Sequence, residues 1–215
     1  IKFFEHFLHI AGAMNSFGVD HVDLWDDTDN FYYDVVHTPD KPNQQLKVRS
    51  MVGLIPLFAV EIINSDIYQK LPEFRERLDF FMKERPKLAS LVSRWEEEGV
   101  EHRRLLSIMR GFRIKKVLER MLDEDEFLSE HGIRALSKYH DKNPFQFEIE
   151  DKKLEVGYLP GESDSSFFGG NSNWRGPVWF PTNYLLIESL REYHKYYGDD
   201  LKLEFPSKCG NKLNL

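Results

Sequence analysis

The stretch Met51–Ile63 is apolar on nearly every side when it is drawn as a helix, and it constrains the fold more than any other part of the chain. Ser50 precedes it as a candidate N-cap, and Pro56 falls early enough to be tolerated or to kink the helix. A helix that is apolar all round has no face to turn toward water, so other elements must surround it. The sequence therefore predicts a large, mainly helical assembly.

Amphipathic patterns elsewhere in the chain predict further helices. Apolar residues recur at helical spacing in four segments, near residues 3–14, 71–81, 114–122 and 177–197. Pro72 and Pro177 suit first-turn positions, and Gly18 and Gly198 suit helix ends.

Two parts of the chain predict strands instead. An Asp/Asn cluster followed by alternation over Phe31–Val36 indicates a short hairpin. Residues 147–149 and 154–158 indicate two strands joined by a polar turn at 150–153. The polar residues 39–45 indicate a loop, and Leu46–Arg49 a brief strand. The region 123–176 shows no convincing helix, which is uncommon in a compact domain and favours a functional loop.

Composition excludes several classes of protein. A net charge of −7 at pH 7 argues against non-specific nucleic-acid binding. Cys209 is the only cysteine, so neither an internal disulfide nor a thiolate metal site is expected. The acidic residues 23–34 lack the Gly and Glu positions of a calcium loop, and no metal or cofactor is predicted. No membrane-spanning run or signal peptide is found, and we predict a cytoplasmic protein.

The segment Phe167–Pro181 concentrates five aromatics, three glycines, two prolines, two asparagines and one arginine in fifteen residues. Aromatic rings can cover the apolar faces of a pyranose while amide and guanidinium groups bond its hydroxyls. A nucleic-acid loop and ordinary buried packing are the competing interpretations. From the residues alone, the packing interpretation stands level with the sugar interpretation.

This segment also carries a resemblance. The motif Asn173-Trp-Arg-Gly-Pro-Val-Trp179, followed by Asn183-Tyr-Leu-Leu, resembles the Trp-Arg-Gly-Pro motif of glycoside hydrolase family 63. Further segments resemble the glucosidase-like branch of that family. They are Phe3–Phe7, Leu24–Asp27, Val48–Val60, Glu126–Ser129 and Gly132–Ser137. Because these segments are spread along the sequence, the resemblance extends over nearly the whole chain.

The resemblance implies a mainly α fold, part of an (α/α)6 toroid with small β-hairpins and long aromatic loops. Residues 1–215 would then be a partial catalytic domain. Because the chain opens in mid-pattern at Ile1 and its end at Leu215 looks equally unfinished, we expect a fragment truncated at both ends. An incomplete toroid would expose apolar helix faces, which predicts self-association.

The resemblance further implies an inverting hydrolase, in which two carboxyl groups stand roughly 6.5–9.5 Å apart. Its acid is expected upstream of Ile1 and its base downstream of Leu215, so the catalytic residues are unknown here. Within the chain, Glu162 and Asp164 precede the aromatic loop and are the candidate acids, against roles in solvent or in hydrogen bonding. On this expectation the fragment alone is inactive.

Five residues are predicted to bind substrate: Asn171, Asn173, Trp174, Arg175 and Trp179. The resemblance places the matching Trp and Arg at the terminal sugar. The alternatives are loop packing for Trp174, a buried ion pair for Arg175, and backbone hydrogen bonding for the two asparagines. Trp179 suits a pocket floor or the core equally.

The sequence thus predicts part of a glycoside hydrolase that removes terminal residues from an α-linked gluco- or manno-configured oligosaccharide or small glycoside. Two alternatives remain open: a non-catalytic sugar-binding remnant of the fold, and a helical scaffold for a protein partner. Arg49 and Arg134, which follow or interrupt apolar segments, are candidates to supply buried pairing for acids of the pocket.

Overall fold

A computed structural model describes residues 2–15, 22–38, 41–90, 97–109, 111–149, 152–161 and 176–215. These residues form a mixed α/β structure of helices and small two-stranded antiparallel sheets. The prediction of a mainly α fold, part of an (α/α)6 toroid, is therefore wrong.

The α-helices in the described ranges are α1 (Lys2–Asn15), α2 (Ser65–Lys70), α3 (Pro72–Glu84), α4 (Pro86–Ala89), α5 (Gly111–Met121) and α6 (Phe180–Tyr197). Three 3-10 helices accompany them, η1 (Met51–Phe58), η2 (Val100–His102) and η3 (Lys138–Asp141). The first six strands are β1 (Trp25–Asp26), β2 (Phe31–Tyr32), β3 (Asp34–Thr38), β4 (Lys41–Leu46), β5 (Val60–Ile63) and β6 (Arg104–Ser107). The remaining strands are β7 (Leu128–Ser129), β8 (Gly132–Ile133), β9 (Phe145–Ile149), β10 (Lys152–Val156), β11 (Lys202–Glu204) and β12 (Lys212–Asn214).

The periodic helices are confirmed. Helices α1, α3, α5 and α6 occupy the segments that carry apolar residues at helical spacing. Pro72 opens α3, and Gly198 ends α6 with φ +53°, a conformation that side chains disfavour. The first-turn position predicted for Pro177 is wrong, because α6 begins at Phe180. The expected end of α1 near Gly18 lies outside the described residues.

The apolar stretch Met51–Ile63 is not an α-helix. Its first part is η1, which Ser50 caps by accepting a hydrogen bond from the Val52 N–H at 3.3 Å. Its second part is β5, which pairs with β6 in the register Val60↔Ser107 to Ile63↔Arg104. Pro56 cannot donate an i→i−4 hydrogen bond and disfavours a continuous α-helix across the stretch. The inference of a large helical assembly rested on this helix and fails with it.

The hairpins agree with the sequence in part. Strands β1 and β2 pair around the Asp/Asn turn, and β9 pairs with β10 from Lys152↔Ile149 to Val156↔Phe145. Residues 41–46 form β4 rather than a loop, and the brief strand predicted at 46–49 is absent beyond Leu46. Charged and polar residues fill β4, so composition alone indicated a loop.

The core lies where α5, α6, η1 and the first hairpin meet. Phe31 and Phe127 stack at its centre, with ring centroids 5.7 Å apart. Gly53 lies so close that a β-carbon there would stand 2.2 Å from the Phe31 ring. A second cluster joins α1 to α3 through Phe4, Leu8, Leu78 and Leu106.

Candidate functional site

The predicted site residues fall mostly outside the described part of the chain. Glu162, Asp164, Asn171, Asn173, Trp174 and Arg175 all lie in the segment 162–175, which the structure does not describe. Trp179 is described and is partly buried directly before α6. Its carbonyl oxygen accepts hydrogen bonds from the Asn183 N–H at 3.0 Å and from the Asn183 amide at 2.9 Å. Trp179 thus fixes the start of α6 through its backbone.

The chain that leaves this segment is fastened to residues 133–135. The Ala135 N–H donates to the Pro177 carbonyl at 2.8 Å, and Arg134 forms an antiparallel bridge with Val178. Asn183 closes the arrangement, because its side chain accepts from the Ile133 N–H at 2.7 Å and donates to the Ile133 carbonyl at 3.1 Å.

Residues that precede the segment 162–175 contact Arg134 as well. The Arg134 Nε donates to the Tyr158 hydroxyl at 3.1 Å. The Tyr158 ring in turn lies against Gly176, whose φ of +131° is open mainly to glycine. Both described flanks of the aromatic loop therefore meet at Arg134.

The mostly buried carboxylate of Glu126 belongs to a residue whose backbone Arg134 contacts. Glu126 accepts hydrogen bonds from Arg49 at 2.7 Å, from Arg120 and from the Ser137 hydroxyl. Arg49 also pairs with Asp29 at 3.2 Å. Arg49 therefore pairs with two partly buried carboxylates, whereas its pairing with acids of a sugar pocket stays a prediction. Because the Glu126 oxygens already accept three hydrogen bonds, this group holds the surrounding loops together.

Arg134 pairs differently from the prediction. Its guanidinium donates to the Tyr158 hydroxyl and to the carbonyls of Glu124, Glu126 and Leu128, with no acidic side chain among its described partners. Its guanidinium therefore stabilises the backbone around residues 124–128 rather than a carboxylate.

A polar cavity of about 260 Å³ opens between the first hairpin and the residues that follow η3. Its lining combines charged, amide and aromatic groups: Asp29, Tyr33, Lys47, Arg49, Tyr139, His140, Asn143, Pro144, Phe145 and Gln146. Burial raises the pKa of Tyr33 to about 12, so its hydroxyl stays protonated at neutral pH. This mixture of groups suits hydrogen bonding to a polar ligand.

His140 is buried at the wall of this cavity as a neutral imidazole. Its Nε2 accepts from the Arg49 N–H at 2.9 Å, and its Nδ1 donates to the Asn143 carbonyl at 2.9 Å. Burial lowers its pKa, and the Arg49 charge acts in the same direction. The two bonds fix the tautomer that carries the proton on Nδ1.

A second, mainly apolar cavity of about 300 Å³ lies between α1, η1 and the start of β3. Its single acidic group is Asp34, whose pKa is raised by burial. Met14, Ile55 and Ile108 are among its walls. Apolar side chains make up most of its described walls, which suits a sugar less well than the polar cavity does, so we do not place the candidate site there.

Two general findings concern the described ranges alone. They contain no group of three or more His, Cys, Asp or Glu side chains placed to hold a metal ion. No described helix combines the length and apolar character needed to cross a membrane.

Sequence reasoning missed Glu126 and Asp29 as partners of Arg49. The Glu126–Arg49 bond joins residues 77 positions apart, so no local pattern reports it. The available signal was the presence of Arg49 beside an apolar run, which indicates that a carboxylate must be close.

Comparison with known proteins adds two relatives. No protein-family model matches the chain. The chain is 44% identical over 226 residues to the uncharacterized protein YMR196W of Saccharomyces cerevisiae, an alignment that covers 100% of the chain and 21% of that protein. It is 25% identical over 104 residues to the mannosyl-oligosaccharide glucosidase of the same yeast, over 48% of the chain and 9% of that protein. The chain is thus similar in part to a glucosidase. It spans about a fifth of the first relative and less of the second.

Proposed function

We propose that the chain is part of a glycoside hydrolase that acts on an α-linked gluco- or manno-configured oligosaccharide or small glycoside. The observation that carries this proposal is the partial similarity to the mannosyl-oligosaccharide glucosidase of yeast. The resemblance of the Trp-Arg-Gly-Pro segment to glycoside hydrolase family 63 supports the same class.

The substrate-binding part of the proposal concerns the aromatic loop. Trp174 would cover the apolar face of the terminal sugar, and Arg175, Asn171 and Asn173 would bond its hydroxyls. The described flanks support this role, because both are tied to Arg134 and hold the ends of the loop at one place. A fixed support reduces the ordering entropy that a binding loop loses when it takes up a ligand.

The catalytic part concerns an inverting pair of carboxyl groups. Glu162 and Asp164 are the candidates within the chain, and the remainder of the longer protein would supply a missing partner. A general acid donates its proton to the leaving oxygen, while a general base activates water on the other face of the sugar. Glu126 is not proposed for either role, since its oxygens accept from two arginines and a serine.

Calorimetric titration of the 215-residue chain with gluco- and manno-oligosaccharides tests the binding proposal. We expect Trp174→Ala and Arg175→Ala to weaken binding at least tenfold. Trp95→Ala, which changes a tryptophan outside the aromatic loop, should bind as the wild type does. No heat of binding from the wild type with any of these sugars would overturn the loop assignment.

Hydrolysis is tested on the full-length protein with the corresponding α-linked substrates. Binding without hydrolysis would leave the non-catalytic sugar-binding alternative. An absence of both would favour the scaffold for a protein partner.

A further inference from the structure

We infer that the polar cavity beside His140 is a second carbohydrate subsite, which takes one uncharged sugar unit and excludes charged ones. This inference rests on the proposed function for its choice of a sugar as the ligand. It assigns the cavity a role separate from that of the aromatic loop.

The charges around the cavity balance one another. Its walls and the layer behind them hold three cationic and three carboxylate side chains that pair with one another. Lys47 contacts Asp26 at 2.9 Å and Asp29 at 3.4 Å. Arg49 contacts Asp29 and Glu126, and Arg120 contacts Glu126. Because each of these charges already has a partner, a charged ligand would add a charge that nothing compensates, whereas a neutral ligand leaves the balance intact.

Several side chains that line the cavity can form hydrogen bonds beyond those they already make. The Tyr33 hydroxyl donates to Asp29 at 3.1 Å, and besides its contact with Arg49 it keeps one lone pair that can accept from a ligand. The Gln146 amide donates to Glu155 at 2.9 Å, and its carbonyl oxygen has no partner among the described residues. The Lys47 side chain is 46% exposed and carries a third N–H donor beyond its two carboxylate contacts. Several donors and acceptors at one small site match the hydroxyl groups of a sugar.

Two aromatic rings, those of Tyr139 and Phe145, line the cavity. Tyr139 is 39% exposed, and the Arg49 guanidinium lies 3.8 Å from its ring centroid. That contact covers one face and holds the ring in place. Phe145 is partly exposed and stacks on Phe147, with centroids 6.5 Å apart. Held aromatic rings offer the apolar surface that the C–H groups of a pyranose contact.

The volume of the cavity limits how large a ligand it can hold. A cavity of about 260 Å³ falls just below the ~300–1,000 Å³ typical of sites for drug-sized ligands. It therefore accommodates one sugar ring and not an oligosaccharide.

Hydrogen bonds also link the cavity to Arg134, which contacts both described flanks of the aromatic loop. The His140 carbonyl accepts from the Tyr158 N–H at 3.3 Å, and the Tyr158 hydroxyl accepts from Arg134. A sugar at each position would thus lie on one continuous set of hydrogen-bonded residues.

The experiment measures binding of methyl α-D-glucopyranoside and methyl α-D-mannopyranoside to the 215-residue chain by saturation-transfer NMR and calorimetry. We expect Phe145→Ala to weaken binding about fivefold, because it removes the apolar ring surface that the C–H groups of the sugar would contact. Phe80→Ala is the control. It removes an exposed ring on α3 that does not line the cavity, and binding should stay within twofold of the wild type.

Charged analogues test the selectivity. Glucose 6-phosphate and glucosamine should bind the wild type at least tenfold more weakly than the neutral glycosides. Lys47→Gln leaves one carboxylate unpaired and should improve glucosamine binding relative to the wild type. Equal affinity of the wild type for neutral and charged sugars would overturn the inference.

Trp174→Ala separates the two sites. Binding that survives in Trp174→Ala and is lost in Phe145→Ala supports the cavity whatever the loop does. Binding that is lost in Trp174→Ala and unchanged in Phe145→Ala supports the loop and overturns the cavity. An absence of binding to the wild type overturns both.

Discussion

The ring of Tyr158 lies against the α-carbon of Gly176, and a β-carbon at position 176 would stand 2.3 Å from that ring. The φ of Gly176, +131°, adds a backbone conformation that L-residues rarely adopt. We expect Gly176→Ala to lower the free energy of unfolding by about 1–3 kcal/mol. Urea denaturation followed by circular dichroism measures the change.

Gly161 is the control for that substitution. A β-carbon there meets nothing within 4 Å, so Gly161→Ala should change the stability by less than about 0.5 kcal/mol. An equal loss in both variants would contradict the role of the Tyr158 contact.

Glu126 is predicted to be the most costly single carboxylate to remove. Glu126→Gln leaves Arg49 and Arg120, whose side chains are 12% and 17% exposed, without their shared negative charge. We expect a loss of about 3 kcal/mol or more in the free energy of unfolding. Asp66→Asn, in an exposed pair with Lys70, should leave the urea midpoint unchanged. A similar effect of the two substitutions would refute the buried-network account.

His140 is predicted to make stability depend on pH. Burial lowers its pKa in the folded state, so the unfolded chain, with a value near 6.5, binds the proton more readily. Its contribution is therefore complete above about pH 6.5 and is lost as the pH falls toward the lowered folded value. His140→Gln keeps an acceptor for the Arg49 N–H and a donor for the Asn143 carbonyl, but it does not titrate.

Denaturation of both proteins between pH 5 and pH 8 makes the comparison. The wild type should lose more stability than His140→Gln as the pH drops. Parallel curves would show that His140 does not titrate differently in the folded and unfolded states.

Tyr193 is predicted to stabilise the core through its hydroxyl. Its oxygen lies 2.9 Å from the Ser107 Oγ, and both side chains are fully buried. Tyr193→Phe should cost about 1 kcal/mol, the typical net value of one hydrogen bond. Tyr184→Phe, which alters a 55% exposed ring on the same helix, should cost little. An unchanged melting temperature in Tyr193→Phe would contradict the prediction.

Helix α6 carries an exposed apolar stripe that predicts self-association. Phe180, Tyr184 and Ile187 are 82%, 55% and 56% exposed, and they recur at helical spacing. We expect sedimentation velocity to show a concentration-dependent increase in mass for the chain. The double substitution Phe180→Ser and Ile187→Ser should reduce it.

The control for the stripe is Phe80→Ser, which removes an exposed ring from α3 and should leave the association unchanged. A chain that sediments as a monomer at every concentration would refute the prediction.

Sequence reasoning succeeded where the information is local. Helix α5 buries Ile114, Val117, Leu118 and Met121 at the spacing that predicted it. The hairpin of β9 and β10 alternates over adjacent residues, so its pairing needs no distant partner. In such segments, the periodicity alone determines the element.

The predictions that failed concern structure set by pairing between residues far apart in the chain. A continuous apolar run such as Met51–Val60 has no periodicity that separates a buried helix from a buried strand. The pairing of Val60 with Ser107 decides between them, and it joins residues far apart in the chain. The toroid prediction depended on that assignment and on the resemblance. The predicted contacts of Trp174 and Arg175 remain predictions, since both lie outside the described residues.

The pairing of β5 with β6 has a consequence for how the chain can vary. Because Ile63 lies opposite Arg104, helices α2, α3 and α4 form an excursion that leaves and rejoins the core at one point. Doubling the length of such an excursion costs only about 0.6 kcal/mol in closure entropy. Insertions and deletions between these strands are therefore tolerated, provided that Leu78 still covers Phe4 and Leu8. Length differences among homologous proteins should concentrate there.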